Sequence, residues 1–413
     1  MNWSTFAWRN LWRNRRRTVL TMAMIGVAAF ASSLALGYVI ATFDAVREGS
    51  IDSGVGHVQV LHHGYLDLIG ERPLQYGLSA DEQAAATQAI AKLPGVATTA
   101  RGIDFDGLVS NGDLSYGFVG EGIEPNREPP GFFDYHTVLS GRYLSPTNAG
   151  TEVVVGAELA RKLGVHVGSV VQLMASTAHG GINATDAQIV GVMSTGNKDV
   201  DERIVNVTFA AAQALLRTDR ASRIAVFLKD TAGTPARRHA GTPAAAATLR
   251  AALPTLDVRT WDQLVSLYHQ VVALYKNQFS VFGAILCVTI LLSMSNWILM
   301  SIVERRREIA TLRALGVPAA TVRSVLIQET ALLGLLGAAA GIALALLTMV
   351  ALNHAQIHLP APPGRVKPIL LEFTVSPVAV AAVEAAFVVL GVAAALLATL
   401  GLAKRNILEG LAP

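Results

Sequence analysis

The densest chemistry in the sequence is a run of charge, Glu304-Arg305-Arg306-Arg307-Glu308, followed by Ile309, Leu312, Arg313, Leu315 and Gly316. Guanidinium forks and carboxylates packed this closely suit the recognition of a charged surface, which is binding chemistry and not bond-making. Ile309, Leu312 and Leu315 recur every three residues and predict an apolar ridge beside the charged face of a short helix. Gly316 suits the left-handed position that ends a helix, and Pro318 cannot continue that helix but can open the next. A turn between two larger elements would account for the charges alone. A helix that docks on another molecule accounts for the ridge as well.

Other chemistries lack their residue sets. His57, His62 and His63 are near neighbours, and His354 and His358 share a helical face at i,i+4, but neither group has a nearby carboxylate in a metalloprotease arrangement. There is no G-x-S-x-G elbow for a nucleophilic serine and no G-x-x-x-x-G-K-[ST] loop to cradle phosphates. The one cysteine, Cys287, lies in an apolar run. The sequence therefore predicts no catalytic, cofactor-binding or metal-binding residues in this chain.

The elements that position the charged run are set by hydropathy. Of 413 residues 52% are hydrophobic and 15% charged, against about 25% charged in soluble domains. Crossing roughly 30 Å of hydrocarbon takes about 20 apolar residues. Four segments qualify: 18–43, 277–303, 330–352 and 378–402. The expected class is an α+β membrane protein, with four transmembrane helices and a large α+β extracytoplasmic domain, 44–276, between helices 1 and 2. That length allows two subdomains. Within it, 57–61, 203–208 and 223–228 alternate as strands, while 81–92, 157–163 and 210–216 read as helices. The Ala, Thr and Gly-rich stretch 231–248 reads as a mobile surface segment.

Lysine and arginine cluster before the first span, between the second and third, and after the fourth. The positive-inside rule places both termini and the 304–329 segment in the cytoplasm, and 44–276 and the 353–377 loop outside. Residues 1–17 set Arg9, Arg13, Arg16 and Arg17 opposite Trp3, Ala7, Trp8, Leu11 and Trp12, a pattern for an interfacial helix. A cleavable twin-arginine signal is the rival reading, but the apolar run that follows exceeds a signal's. Residues 403–413 form a cytoplasmic tail. Within the spans, Gly334, Gly337 and Gly341 permit close helix approach, within one protomer or across a dimer. Glu384, in the fourth span, must face protein or water, or stay protonated.

The run 304–347, with Glu304, Arg305, Glu308, Ile309, Leu312, Arg313, Leu315 and Gly316, then Glu329, Gly334, Gly337 and Gly341, resembles the core of the FtsX-like permease family. That group includes MacB-type and lipoprotein-releasing (LolC and LolE) subunits. Residues 10–18 resemble the family's N-terminal element, and 153–173 a stretch of its outer domain, which the resemblance implies is built of a membrane-side part, roughly 44–105 with 200–276, holding an inserted part between. The resemblance implies a permease of an ABC transporter in the bacterial inner membrane, working as a homo- or heterodimer, with 304–316 docking an ABC ATPase subunit. ATP and Mg would be bound by that ATPase, expected as a separate chain. The function implied is ATP-driven movement of a lipophilic or envelope substrate, lipoprotein-like, on the outer side. Membrane lipid is an implied partner, as is a periplasmic adaptor or lipoprotein acceptor; nucleic acid is not. The alternative is a regulatory subunit that relays ATPase state to an outer enzyme or receptor.

Overall fold

The structure is a computed structural model and describes residues 15–68, 74–129, 131–146, 151–229, 241–359 and 369–399. The expected interfacial helix, apart from 15–17, and the expected tail 403–413 lie outside these residues, as do 360–368 of the 353–377 loop and 231–240. The chain forms two compact units, one built on segments before Phe43 and after Val271, the other on Asp44–Gln270.

Four helices among the described residues are long and apolar enough to cross a membrane. They are α1 (Arg15–Ser50), α6 (Ser266–Glu304), α8 (Ala319–Ala355) and α9 (Pro377–Thr399). The first three run well past their apolar segments. Hydropathy marks what lipid can hold, while a helix continues until its backbone is broken, and Val325 to Glu329 contain no breaker. The helix α8 ends only where Gln356 turns left-handed, at φ 48°. Ile25, Ala29, Met294, Ile298, Leu326, Leu333, Ala338, Phe387 and Ala394 form the core of this unit. In α6 no described side chain is fully buried before Ile290, so its first half presents apolar groups outward, as a helix in lipid can.

The second unit is α+β. Among the described residues its sheet has ten strands, β1 (Val58–His62), β2 (Val96–Ser110), β3 (Ser115–Ile123), β4 (Thr137–Gly141), β5 (Glu152–Gly156), β6 (Val170–Ser176), β7 (Ile182–Ser194), β8 (Ile204–Thr208), β9 (Arg223–Leu228) and β10 (Leu256–Thr260). They pair in the order β10-β1-β9-β2-β3-β8-β5-β7-β4, with β6 against β2 and β7. Among the described residues only β3 with β8 and β5 with β7 pair in parallel. The central strand β5 is buried along its whole length, which explains its unbroken Val153-Val154-Val155.

The expected boundary between the two parts of this domain, at residue 105, falls inside strand β2. The strand β2 is fifteen residues long; it pairs β9 over its first half and β3 and β6 over its second, so one sheet passes through both expected parts. Strand β8, expected with the membrane-side part, lies between β3 and β5 instead. Arg223 stitches the seam, paired with both Asp104 and Glu121. Beside it, burial pushes the Tyr65 hydroxyl up to about 12. The segment read as mobile at 231–248 is also corrected at its second half. Thr242–Ala252 forms helix α5 and buries Ala245, Ala246 and Leu249. Its alanines are strong helix formers, and their low side-chain bulk hid a packed face.

Besides α5, the sheet is covered by α2 (Ala80–Ala91), α3 (Ala157–Leu163) and α4 (Phe209–Leu216). Helix α2 opens on a capping box between Ser79 and Glu82, which satisfies two free amides at once. The Glu82 carboxylate also sits 3.0 Å from His62 Nδ1 on β1. Burial raises the Glu82 carboxyl, but the Ser79 amide and His62 outweigh it and hold it below the ordinary 4.5. A carboxyl lowered in the folded state stabilises the fold above its unfolded value, and that contribution fades as pH falls through the folded value. Thermal unfolding followed from pH 6 to 3 is therefore expected to lose stability below about 4.5, and Glu82→Gln to flatten the loss. An unchanged acid slope in that variant would contradict the pairing.

Candidate functional site

The charged run forms helix α7 (Arg306–Ala314), suspended between the end of α6 and the start of α8. Arg305 breaks the helical path at φ −101° and ψ 16°, so α7 leaves the line of α6. The far end closes as the residues anticipate. Gly316 takes φ +90°, the Val317 amide reaches the Leu312 carbonyl at 3.0 Å, and Pro318 caps α8. No Cβ clash demands glycine at 316; the left-handed backbone alone does.

One interaction fixes α7 to the membrane unit. Arg305 Nη1 donates to both oxygens of Glu329 at 2.9 and 3.0 Å, twenty-four residues away on α8. The two side chains are 12% and 2% exposed. A pair this deep is held by geometry, because removing one partner leaves the other a buried charge that has lost its strongest counter-charge. Arg305 also reaches Glu308 at 3.4 Å. A second contact ties in α1: Arg17 bonds Glu304 at 3.0 Å, donates to the Trp297 carbonyl at 2.5 Å and lies over its ring. Glu304 is largely exposed there, so that ion pair adds little by itself.

Of the candidate docking residues, Arg306, Arg307, Glu308 and Leu315 face outward, while Arg313 and Leu312 are half-buried. Ile309 is buried in the membrane-unit core. The expected continuous ridge is corrected in this respect. At about 100° per residue, a three-residue repeat drifts by about 60° each step, so Leu315 ends roughly a third of a turn from Ile309. Leu315 is 77% exposed. The helix thus buries Ile309 and Ala310 inward, and Leu315 at its end is offered outward.

The glycines lie at helix contacts within the protomer. A Cβ on Gly341 would stand 2.1 Å from the Gly26 carbonyl oxygen, and one on Gly337 2.9 Å from the Ile25 Cβ. Gly334 faces α9, with the Phe387 carbonyl oxygen 2.9 Å from its ideal Cβ, and Gly391 answers against Thr330. Helix α8 therefore meets α1 and α9 backbone to backbone, the closest packing available in lipid. Glu384 is half-buried on α9, and its Oε1 is buried with no hydrogen-bond partner.

Sequence reading did not find Trp297, Gly26 and Gly391, and it placed Arg17 and Glu329 without their partners. A lone acid at the apolar start of a span was the available signal for Glu329. The histidines disperse: His57 is buried and accepts the Leu228 amide at 3.2 Å, His62 holds Glu82, and His354 and His358 are exposed. Among the described residues no group of three or more His, Cys, Asp or Glu is placed to hold a metal ion.

Comparison with known proteins gives this geometry its context. A family model for the MacB-like periplasmic core domain matches residues 18–239, more than half of the chain, and one for the FtsX-like permease C-terminal region matches 279–407. The chain belongs to the MacB-type, FtsX-like permease family. The second match contains α7, Glu329 and all four clustered glycines of α8 and α9. Among curated relatives of this permease family, the chain is 28% identical over 375 residues to the pyoverdine export ATP-binding/permease protein PvdT of Pseudomonas putida, covering 85% of this chain and 52% of that protein. It is 24% identical over 256 residues to the lipoprotein-releasing system transmembrane protein LolC of Neisseria meningitidis, 60% of each chain. The chain spans about half the length of the first of these relatives. The periplasmic region of MacB from Actinobacillus actinomycetemcomitans aligns at 12% identity and a TM-score of 0.36, over 52% of this chain and 92% of that one.

Proposed function

We propose that this chain is the permease subunit of an ABC transporter in the bacterial inner membrane, docked through α7 on a separate ATPase that binds ATP and Mg. The observation that carries the reading is the Arg305 to Glu329 pin. It makes α7 a short rigid lever with Arg306, Arg307 and Leu315 outward, while Glu329 sits on the same helix as Gly334, Gly337 and Gly341. A push on α7 is then delivered to α8, and from α8 to α1 and α9 through contacts that have no side chains to absorb it.

In this account both termini and α7 face the cytoplasm, the α+β unit faces the periplasm, and two protomers work together. The substrate class is an amphiphilic or envelope molecule moved on the outer side; relatives named for pyoverdine export and for lipoprotein release both handle cargo leaving the cell interior or membrane. The test is co-purification with the ABC ATPase and stimulation of its hydrolysis in proteoliposomes. An exposed anchor such as Leu315 is worth about 2 kcal/mol or more when it seats in a partner pocket. The double variant Arg307→Glu, Leu315→Asp should therefore lower recovery of the ATPase at least about tenfold and abolish stimulation, with the permease itself still folded. Undiminished recovery would reject α7 as the docking element. Stimulated hydrolysis without any cargo moved in vesicles would favour the regulatory reading.

A further inference from the structure

The outward face of α6 carries more than apolar groups. From Asn277 to Thr289 the helix is exposed around most of its circumference, with only Phe279, Leu286 and Cys287 half-covered. At about 100° per residue, the exposed Gln278, Phe282, Ile285, Thr289, Leu292 and Asn296 fall within an arc of about 80°. The buried Ile290, Met294, Trp297 and Ile298 lie on the opposite side, in the core of the membrane unit. The exposed stripe advances by alternating steps of four and three residues, which is the spacing of a seam between two helices. Phe282, Ile285 and Leu292 on it are 54%, 58% and 67% exposed.

Lipid accounts for the apolar members of the stripe but not for its amides. Thr289 returns its hydroxyl to the Ile285 carbonyl at 2.8 Å, which satisfies it within its own helix. Asn296 is exposed, its carboxamide carries two N–H donors and an acceptor, and among the described residues no partner meets it. It lies about 12 Å along the helix from Glu304, inside the apolar run, where an unpaired amide is costly. Gln278 is about five turns away, so the two amides share one line along the helix. Copies of one chain enter a bilayer in the same direction. Two α6 helices therefore meet in parallel about an axis along the membrane normal, and each residue of the stripe faces its own counterpart. An amide both donates and accepts, so it is complementary to itself. A second copy supplies the matching amides at both depths by symmetry.

We infer that this face of α6 joins two copies of the chain, with each Asn296 amide hydrogen-bonded to its counterpart and each Gln278 amide likewise. Phe282, Ile285 and Leu292 pack between them, and the amides fix the register of the pair. The inference rests on the reading that two protomers work together, and adds which surface joins them.

The experiment uses the full chain in inner-membrane vesicles, in a Cys287→Ser background. Leu292→Cys reports the seam, and Leu347→Cys and Val389→Cys report outward faces of α8 and α9. With copper phenanthroline as oxidant, Leu292→Cys should form a disulfide-linked product of two copies at least about tenfold faster than either of the others. Adding Asn296→Leu, which keeps the bulk and removes the amide, should slow that reaction about threefold, and Asn296→Gln should restore most of the rate. A rate indifferent to Asn296→Leu overturns the amide pairing. A faster product at Leu347→Cys or Val389→Cys, or a Leu292→Cys product that contains a different chain, overturns the interface. So does the lack of a Leu292→Cys product from a permease that light scattering in mild detergent finds at the mass of two copies, and in that case the two-protomer reading stands. No product together with the mass of one copy overturns both.

Discussion

Replacing Glu329 by leucine is expected to cost the folded permease about 3–5 kcal/mol, the range for removing one partner from a buried ion pair. Arg305 would then keep only the exposed Glu308, 3.4 Å away. Arg305→Leu should be equally harmful for the opposite reason, because it leaves a carboxylate that is 2% exposed with its bidentate donor gone. The informative variant is the double one. Two leucines remove both charges and fill similar volume, so stability should return to near that of the parent. Docking of the ATPase should then survive, since Arg306, Arg307 and Leu315 are untouched, while stimulation of hydrolysis fails because α7 is no longer pinned to α8. Thermal unfolding in detergent and stimulated ATP hydrolysis separate the two effects. A double variant that is stable and fully coupled would show the pin to be structural only.

The second large effect is at Gly341. An alanine there would place its methyl group 2.1 Å from the Gly26 carbonyl oxygen, a backbone atom that cannot rotate away. Helices α1 and α8 would have to separate, so Gly341→Ala should cost about 1–3 kcal/mol and Gly341→Leu more. Gly283 of α6 is the internal control, since its ideal Cβ meets nothing within 4 Å. Gly283→Leu should leave the unfolding temperature nearly unchanged and can raise it slightly through helix propensity. Equal effects at the two glycines would contradict the assigned contact between α1 and α8.

Much of this architecture is legible in the residues, for identifiable reasons. Lipid demands long uncharged runs, so the four apolar helices stand out. The Gly316 and Pro318 pair states where α7 stops because few residues tolerate that backbone. Close helix contacts were signalled by Gly334, Gly337 and Gly341, but their partners were not, since Gly26 lies far from the next glycine of α1, Gly391 is alone in α9, and no spacing rule joins distant segments. The same limit hid the acceptor of Arg305, twenty-four residues away on the next helix. Leu315 was misplaced because a repeat of three is near, but not equal to, the helical period. In the α+β unit, short alternating runs such as Arg223–Leu228 were readable, whereas the place of β8 depends on long-range pairing that alternation does not encode. Helix α5 was overlooked because an alanine-rich stretch resembles low complexity until its buried partners are known.

The account requires α7 and the α+β unit to lie on opposite sides of the bilayer, since force is to enter at one and leave at the other. Leu315 and Ile182 are well suited to report this, being 77% and 82% exposed. In a Cys287→Ser background, Leu315→Cys and Ile182→Cys would each be treated with a membrane-impermeant maleimide in intact spheroplasts and again after permeabilisation. The prediction is that Ile182→Cys labels fully in intact spheroplasts and Leu315→Cys only after permeabilisation. Labelling of both from the same side would contradict it.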